Sequence, residues 1–288
     1  MHTVALIVTA LVLLYIGMVS MLWYFQDQIV FQPPVVVPAA DVPARRVVYR
    51  AEDGVELFGY VVGDCRANSP VVLAFHGNAD LARWLVPWAA RLTREADACV
   101  ILAEYRGYDG LAGPPTYASS AHDARAALAY ARHVLGATPQ QLVYFGHSLG
   151  SAIAAELAAV VPPRSLVLQS PLSSARAMSR RLFVPGLTAF WGLISRVHFD
   201  TVARVRELDS PVYVAHGDKD LIVPSSMGRE VFDAARRPGE LLIVKGAGHN
   251  DVAETASDAY WRWLTPAVRI ASEPISSRDA RAETRLAP

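Results

Sequence analysis

The sequence predicts an α/β fold: a mostly parallel sheet flanked by helices, with a small helical lid, behind one N-terminal transmembrane helix. Three observations carry this reading. Thr3–Phe25 contains no charged residue. Short apolar runs, rich in β-branched and aromatic residues, recur at Val71–Phe75, Cys99–Ala103, Leu142–Phe145, Leu166–Leu168, Val212–Ala215 and Leu241–Val244. Continuous runs of this kind suit strands buried on both faces, as in a parallel sheet. Between most of them lie amphipathic stretches of helical period, at Leu81–Glu95, Tyr117–Leu135, Leu149–Val160, Ser225–Ala235 and Asp251–Leu264.

The chain has 288 residues, of which 52% are hydrophobic and 19% charged, with equal numbers of basic and acidic side chains. Zero net charge removes any general electrostatic case for nucleic acid, which needs a basic stripe to displace counterions. Mean hydropathy is +0.23, too apolar for a disordered chain.

The first element, residues 1–27, is read as a membrane anchor. Its 23 uncharged residues, at ~1.5 Å each, make about 34 Å of helix, enough to span the hydrocarbon core. Trp23, Tyr24 and Phe25 close it as an aromatic belt, and Gln26, Asp27 and Gln28 mark the return to water. A cleaved signal peptide is the alternative. Against it, the run is too long, no Lys or Arg precedes it, and no small-x-small site ends it. The bilayer is therefore the first expected partner. Arg45, Arg46 and Arg50 lean the following domain towards the cytoplasmic side. Cys65 and Cys99 fit either compartment and pair only if the fold brings them together.

Residues 28–44 read as a non-helical linker punctuated by Pro33, Pro34, Pro38 and Pro43. The globular domain is placed at 45–265, opening with an antiparallel hairpin, Val47–Arg50 and Val55–Val62, around Asp53-Gly54. Residues 171–209 are longer than one crossover needs and are read as the lid, broken by Pro185, Gly186 and Gly192. Its Leu182, Phe183, Val184, Phe190 and Trp191 suit acyl chains and plain core packing equally well. Residues 266–288 are polar and read as a mobile tail.

The chemistry is expected at strand ends. Gly146-His147-Ser148-Leu149-Gly150 follows one apolar run and precedes a helical one. A strand-to-helix turn of this kind exposes the serine, and a Cβ at either glycine would collide with neighbouring backbone. Ser148 is therefore the candidate nucleophile. A hydroxyl needs a base, and the base needs an orienting acid. His249 lies in a glycine-rich loop after the last strand; Asp218 and Asp220 follow the strand before it. Asp220 is preferred as the acid, with Asp218 serving the local turn. Of eight histidines, His249 alone occupies that loop; His216 is read as bracing its own turn. Oxyanion donors are assigned to the backbone amides of Asn78, after the strand ending at Phe75, and Leu149. No His-Glu-x-x-His, Cys-x-x-Cys or Walker sequence occurs, so neither metal nor cofactor is expected.

Taken together, His76-Gly77-Asn78-Ala79, Glu104-Tyr105-Arg106-Gly107-Tyr108, the Ser148 pentapeptide, Ser170-Pro171-Leu172-Ser173-Ser174, His216-Gly217-Asp218-Lys219-Asp220 and Gly248-His249 resemble the membrane-anchored α/β serine hydrolases of the ABHD/Bem type. Phe31-Gln32-Pro33 after the anchor resembles them too. The resemblance implies the α/β-hydrolase fold, a Ser148–Asp220–His249 triad, and hydrolysis of carboxylic esters or thioesters of lipids or acylated proteins. Asp109-Gly110-Leu111 departs from the Gly-x-Ser usual after Tyr-Arg-Gly-Tyr, which bears on that loop and not on the triad. Two other functions are weighed: a peptidase or amidase on small peptides, and a membrane-anchored interaction protein with an idle fold.

Overall fold

The computed structural model describes residues 2–35, 41–183 and 195–269. Its sheet has eight strands in the order β1-β2-β4-β3-β5-β6-β7-β8. These are β1 (Arg45–Arg50), β2 (Glu56–Val62), β3 (Val71–Phe75), β4 (Cys99–Ala103), β5 (Leu142–His147), β6 (Ser165–Gln169), β7 (Val212–Gly217) and β8 (Pro238–Val244). The β1–β2 and β2–β4 pairs are antiparallel and all others parallel. Every residue of β3, β4 and β6 is buried, as continuous apolar runs require. The period of two divides them between two cores: Leu73 and Ile101 face one side, Val72 and Leu102 the other.

Helices cover both faces. The first core is closed by α3 (Tyr117–His133), α4 (Leu149–Val160), α5 (Ala175–Leu182), α6 (Thr201–Glu207) and α7 (Ser225–Ala234). The second is closed by α2 (Val86–Ala96), α8 (Val252–Ala256) and α9 (Asp258–Arg269). Three helical expectations shift. The Leu81–Glu95 stretch starts as a 3-10 turn over Ala82–Leu85 before α2 begins. The Asp251–Leu264 stretch splits at Ser257, whose φ of 47° ends α8. Finally, α9 runs through Pro266 to Arg269, so the tail does not begin at 266. Ala267 and Val268 are fully buried there, and their burial offsets the cost of a proline in the last turn.

The N-terminal helix, α1, spans His2–Val30, three residues beyond the expected end. It contains a window of mean hydropathy 2.5 with no residue buried inside the molecule. Pro33 bars the helical region only to Gln32, so the helix can run this far. Gln26 and Asp27 do not simply return to water: Gln26 is buried, and Asp27 pairs with Arg196 at 2.9 Å. In the lid interval α5 and α6 form, capped by the Ser174 and Asp200 side chains. Val184, Pro185, Gly186, Phe190, Gly192 and Trp191 lie outside the described residues, as does Pro38 in the linker and the chain from 270 onward. Cys65 and Cys99 form a disulfide with Cα atoms 4.8 Å apart. Val62 of β2 pairs with Val100 of β4, which sets the residues just beyond β2 beside the start of β4.

Candidate active site

Ser148 stands between β5 and α4 with φ 53° and ψ −118°, a backbone conformation that costs a non-glycine residue about 1–3 kcal/mol. The surrounding packing imposes it. A Cβ on Gly146 would lie 2.3 Å from the Gly150 carbonyl oxygen, and one on Gly150 would lie 2.2 Å from the Phe75 carbonyl oxygen. Both glycines thus let α4 close onto β3 and β5. The Ser148 amide donates to the Gln169 carbonyl, and Ser151 donates to the Ser148 carbonyl from its amide and its hydroxyl. The turn is held from both sides, with the serine at the N-terminus of α4, where developing negative charge is favoured.

His249 Nε2 lies 2.8 Å from Ser148 Oγ, and His249 Nδ1 lies 2.6 Å from Asp220 Oδ2. A carboxylate accepts the Nδ1 proton and leaves Nε2 with a lone pair facing the hydroxyl. Asp220 is fully enclosed by donors. Its Oδ1 accepts from the amides of Ile222 and Val223 at 2.9 and 2.8 Å, and its Oδ2 also accepts from His216 Nε2 at 3.0 Å. Burial alone would raise its pKa, but the hydrogen bonds from His216 and His249 outweigh burial and hold it well below the usual carboxylate range. Asp218 instead accepts from the Gly246 amide at 2.7 Å, a loop contact. His147 Nε2 and Ser170 Oγ both donate to the His249 carbonyl, at 3.2 and 3.1 Å, and so fix the histidine loop. Burial, followed by the neighbouring His249, lowers the His147 pKa to about 4, so it stays a neutral donor.

The third part is the loop after β3. A Cβ on Gly77 would meet His147 Nδ1 at 2.9 Å and Ser148 Cβ at 3.5 Å, so this backbone runs directly beside the serine. His76 is buried with both ring nitrogens on acceptors: Nδ1 on the Gly77 carbonyl at 2.8 Å and Nε2 on Glu104 Oε1 at 2.7 Å. Burial opposes charge on His76, but Glu104 prevails and its pKa is raised. Through Nδ1, His76 therefore orients the peptide that joins Gly77 to Asn78. The segment 104–108 braces the same loop. Tyr105 Oη donates to the His76 carbonyl at 2.9 Å, and Tyr108 Oη donates to Asn78 Oδ1 at 2.8 Å. Arg106 does not enter the site; it pairs with Asp53 and Asp123. Where the sequence departs from the family, Asp109 turns with φ 45° and pairs with Arg83 at 3.1 Å.

A cavity of about 340 Å³ opens on this constellation. Trp84, Leu85, Trp88 and Phe145 give it an apolar wall, while Asp80 and Glu254 supply carboxylates. Its described lining includes no Lys or Arg. Ser148, His249 and Asn78 all reach it; Asp220 stands behind His249, and Leu149 is the first residue of α4, where amides lack helical partners. All five residues singled out from the sequence thus converge on one edge. His147 and His216 complete the hydrogen-bond chain: His216 braces its own turn, as expected, through Asp220 and the Val223 carbonyl, and His147 does not stand out in the sequence as a site residue. Among the described residues, no group of three or more His, Cys, Asp or Glu is arranged to hold a metal ion.

The fold and this strand-edge site define an α/β hydrolase. The family described as alpha/beta hydrolase fold matches residues 70–187. The uncharacterized protein Rv2307c of Mycobacterium tuberculosis is 34% identical over 268 residues, 90% of this chain and 94% of its own. Alpha/beta hydrolase domain-containing protein 17B of Homo sapiens is 30% identical over 189 residues, 65% of this chain and 63% of its own. Among solved structures, an esterase of Pyrococcus furiosus superposes with a TM-score of 0.66 at 18% identity, covering 83% of this chain and 97% of its own. A bacterial heroin esterase superposes with a TM-score of 0.63 at 23% identity, covering 80% and 84%. The chain belongs to the α/β-hydrolase family.

Proposed function

We propose that the protein is a membrane-anchored serine hydrolase that cleaves carboxylic ester or thioester bonds of lipid or other acyl substrates. The observation that carries this reading is the continuous chain from Ser148 Oγ through His249 to Asp220, at 2.8 and 2.6 Å. His249 takes the Ser148 proton as Oγ attacks the acyl carbon, and Asp220 stabilises the resulting imidazolium. The amides of Asn78 and Leu149 hold the oxyanion of the tetrahedral intermediate. His249 then protonates the departing alcohol or thiol, leaving an acyl-serine. Water, deprotonated by His249, attacks that acyl group and regenerates the hydroxyl.

Two features support an acyl substrate in this site. The tryptophan and phenylalanine wall suits an apolar acyl group, and two carboxylates with no Lys or Arg among the described lining residues disfavour anionic substrates. The solved structures named above include esterases by their own descriptions. Anchoring is supported by α1, whose 29 residues make about 43 Å of helix. The Cys65–Cys99 pairing is the chemistry of an oxidising compartment, and it weighs against the cytoplasmic side that Arg45, Arg46 and Arg50 favour.

The test is covalent labelling. A fluorophosphonate probe is expected to label the detergent-solubilised protein, and Ser148→Ala is expected to abolish both labelling and turnover of p-nitrophenyl esters and acyl-thioesters. Equal labelling of the two proteins would remove Ser148 from the mechanism.

A further inference from the structure

The half-buried Asn78 side chain is bound to the end of α1. Its Nδ2 donates to the Val30 carbonyl at 2.8 Å, and its Oδ1 accepts from the Gln32 amide at 2.8 Å. The same Oδ1 accepts from Tyr108 Oη at 2.8 Å. This assignment of amide oxygen and nitrogen follows from the partners, since a flipped amide would set two donors against its NH₂ and a carbonyl against its oxygen. The Val30 carbonyl belongs to the last turn of α1, where carbonyls lack helical partners, so Asn78 caps the helix.

The helix end is itself fixed to the domain at several points. Phe31 is 3% exposed and packs against Phe199, ring centroids 6.4 Å apart. Gln26 Oε1 accepts from the Arg196 amide at 2.6 Å, and the Arg196 guanidinium lies 4.8 Å from the Trp23 ring centroid. The residues that hold α1 are thus the same length of chain that presents Val30 and Gln32 to Asn78.

We infer that the carboxyl end of α1 is a positioning element of the active site, acting through the Asn78 side chain on the backbone that donates to the oxyanion. This rests on the serine-hydrolase reading above. Asn78 is pinned on three sides: its preceding carbonyl by His76, its side-chain oxygen by Gln32 and Tyr108, and its side-chain nitrogen by Val30. An amide held this way keeps its direction while charge develops on the substrate oxygen, which is what preorganisation requires. Released from Val30 and Gln32, the Asn78 side chain has one hydrogen bond left, to Tyr108, and the peptide can swing. The anchor segment is then part of the catalytic apparatus as well as a tether.

The experiment uses the full chain in detergent micelles, with p-nitrophenyl acetate as substrate and an alkyl trifluoromethyl ketone as an oxyanion-forming inhibitor. Asn78→Ala is expected to lower kcat by about 10- to 100-fold, below the loss for deleting an oxyanion donor outright. KM is expected to stay within about twofold, and ketone affinity to fall in step with kcat/KM. Phe31→Ala, which touches no reacting group, is expected to do the same by loosening the helix end, with Phe31→Leu restoring most of the loss. Phe31→Ala carries the test if Asn78→Ala fails to fold. Unchanged kcat and ketone affinity, in variants whose Ser148 still labels, would overturn the inference and leave the hydrolase reading intact. A loss confined to KM would overturn it as well. Absence of turnover and labelling in the wild-type protein would sink both.

Discussion

Replacing Asp220 by Asn exchanges a single oxygen for an NH₂ group, and four donors around it determine the effect. The amides of Ile222 and Val223 approach Oδ1, while His249 Nδ1 and His216 Nε2 approach Oδ2. A carboxamide has one accepting oxygen, and the two backbone amides cannot rotate away. The oxygen therefore stays at the Oδ1 position, and the NH₂ group turns towards His249. His249 must then accept at Nδ1 and carry its proton on Nε2, where it faces Ser148 Oγ with an N–H in place of a lone pair. A base in the wrong tautomer costs roughly 10⁴ in kcat, or about 5.5 kcal/mol of barrier. The stability cost is far smaller. His216 Nε2 keeps the Val223 carbonyl at 2.9 Å, so one charge-assisted hydrogen bond is lost, worth about 1–3 kcal/mol. That is a fall of only a few degrees in Tm for a domain of this size. Steady-state hydrolysis of p-nitrophenyl acetate, read beside a thermal melt by circular dichroism, separates the two effects. A folded Asp220→Asn protein with kcat within tenfold of wild type would refute the tautomer argument.

Two further outcomes concern the loop after β3. Gly150→Ala places a Cβ 2.2 Å from the Phe75 carbonyl and 2.5 Å from the His76 carbonyl, so α4 must lift from β3; a loss of at least about 2 kcal/mol in denaturant unfolding is expected, and a change under 0.5 kcal/mol would refute the contact. The His76–Glu104 pair sets a pH dependence. Because the folded pKa of His76 is raised, its contribution is complete below the unfolded value near 6.5 and is lost as pH climbs through the folded value. Glu104→Gln is expected to destabilise the protein by about 3 kcal/mol at pH 6 and to flatten that alkaline decline. Parallel stability curves from pH 6 to 9 would count against the ion pair.

What the sequence makes legible is what depends on local pattern. The buried strands announce themselves as apolar runs, and the candidate site residues stand out because each follows one. Where the pattern is weak the ends slip: β8 starts at Pro238, three residues before its apolar run, because those first residues are exposed. Ser257 breaks the helix before α9 with a positive φ and no glycine to signal it. The disulfide needed the β2–β4 pairing before Cys65 and Cys99 could meet. The supports of the site are equally long-range. His147 and Ser170 reach the His249 carbonyl across 102 and 79 residues, and Asn78 reaches Val30 and Gln32 across 48 and 46. No spacing in the chain encodes such contacts; they exist only once the strands are ordered.

That order also explains why the site assembles where it does. β3 runs to β4 on one side, and the chain then crosses to β5 on the other, so the space between their carboxyl ends is open. Phe75 and Gly146 are register partners there, which sets the loop after β3 and the serine side by side. His249 has farther to come. It follows β8, three strand spacings from β5, or about 14 Å. The loop covers that distance by lying flat on the end of β7: a Cβ on Gly217 would lie 2.3 Å from the carbonyl oxygens of both Ala247 and Gly248. Gly217 therefore seats the loop that carries His249. On the way the loop passes Asp220, which orients its imidazole, then Ser170 and His147, which hold its carbonyl. A histidine carried so far on a glycine-rich loop keeps a 2.8 Å contact with Ser148 because each strand it crosses supplies a restraint.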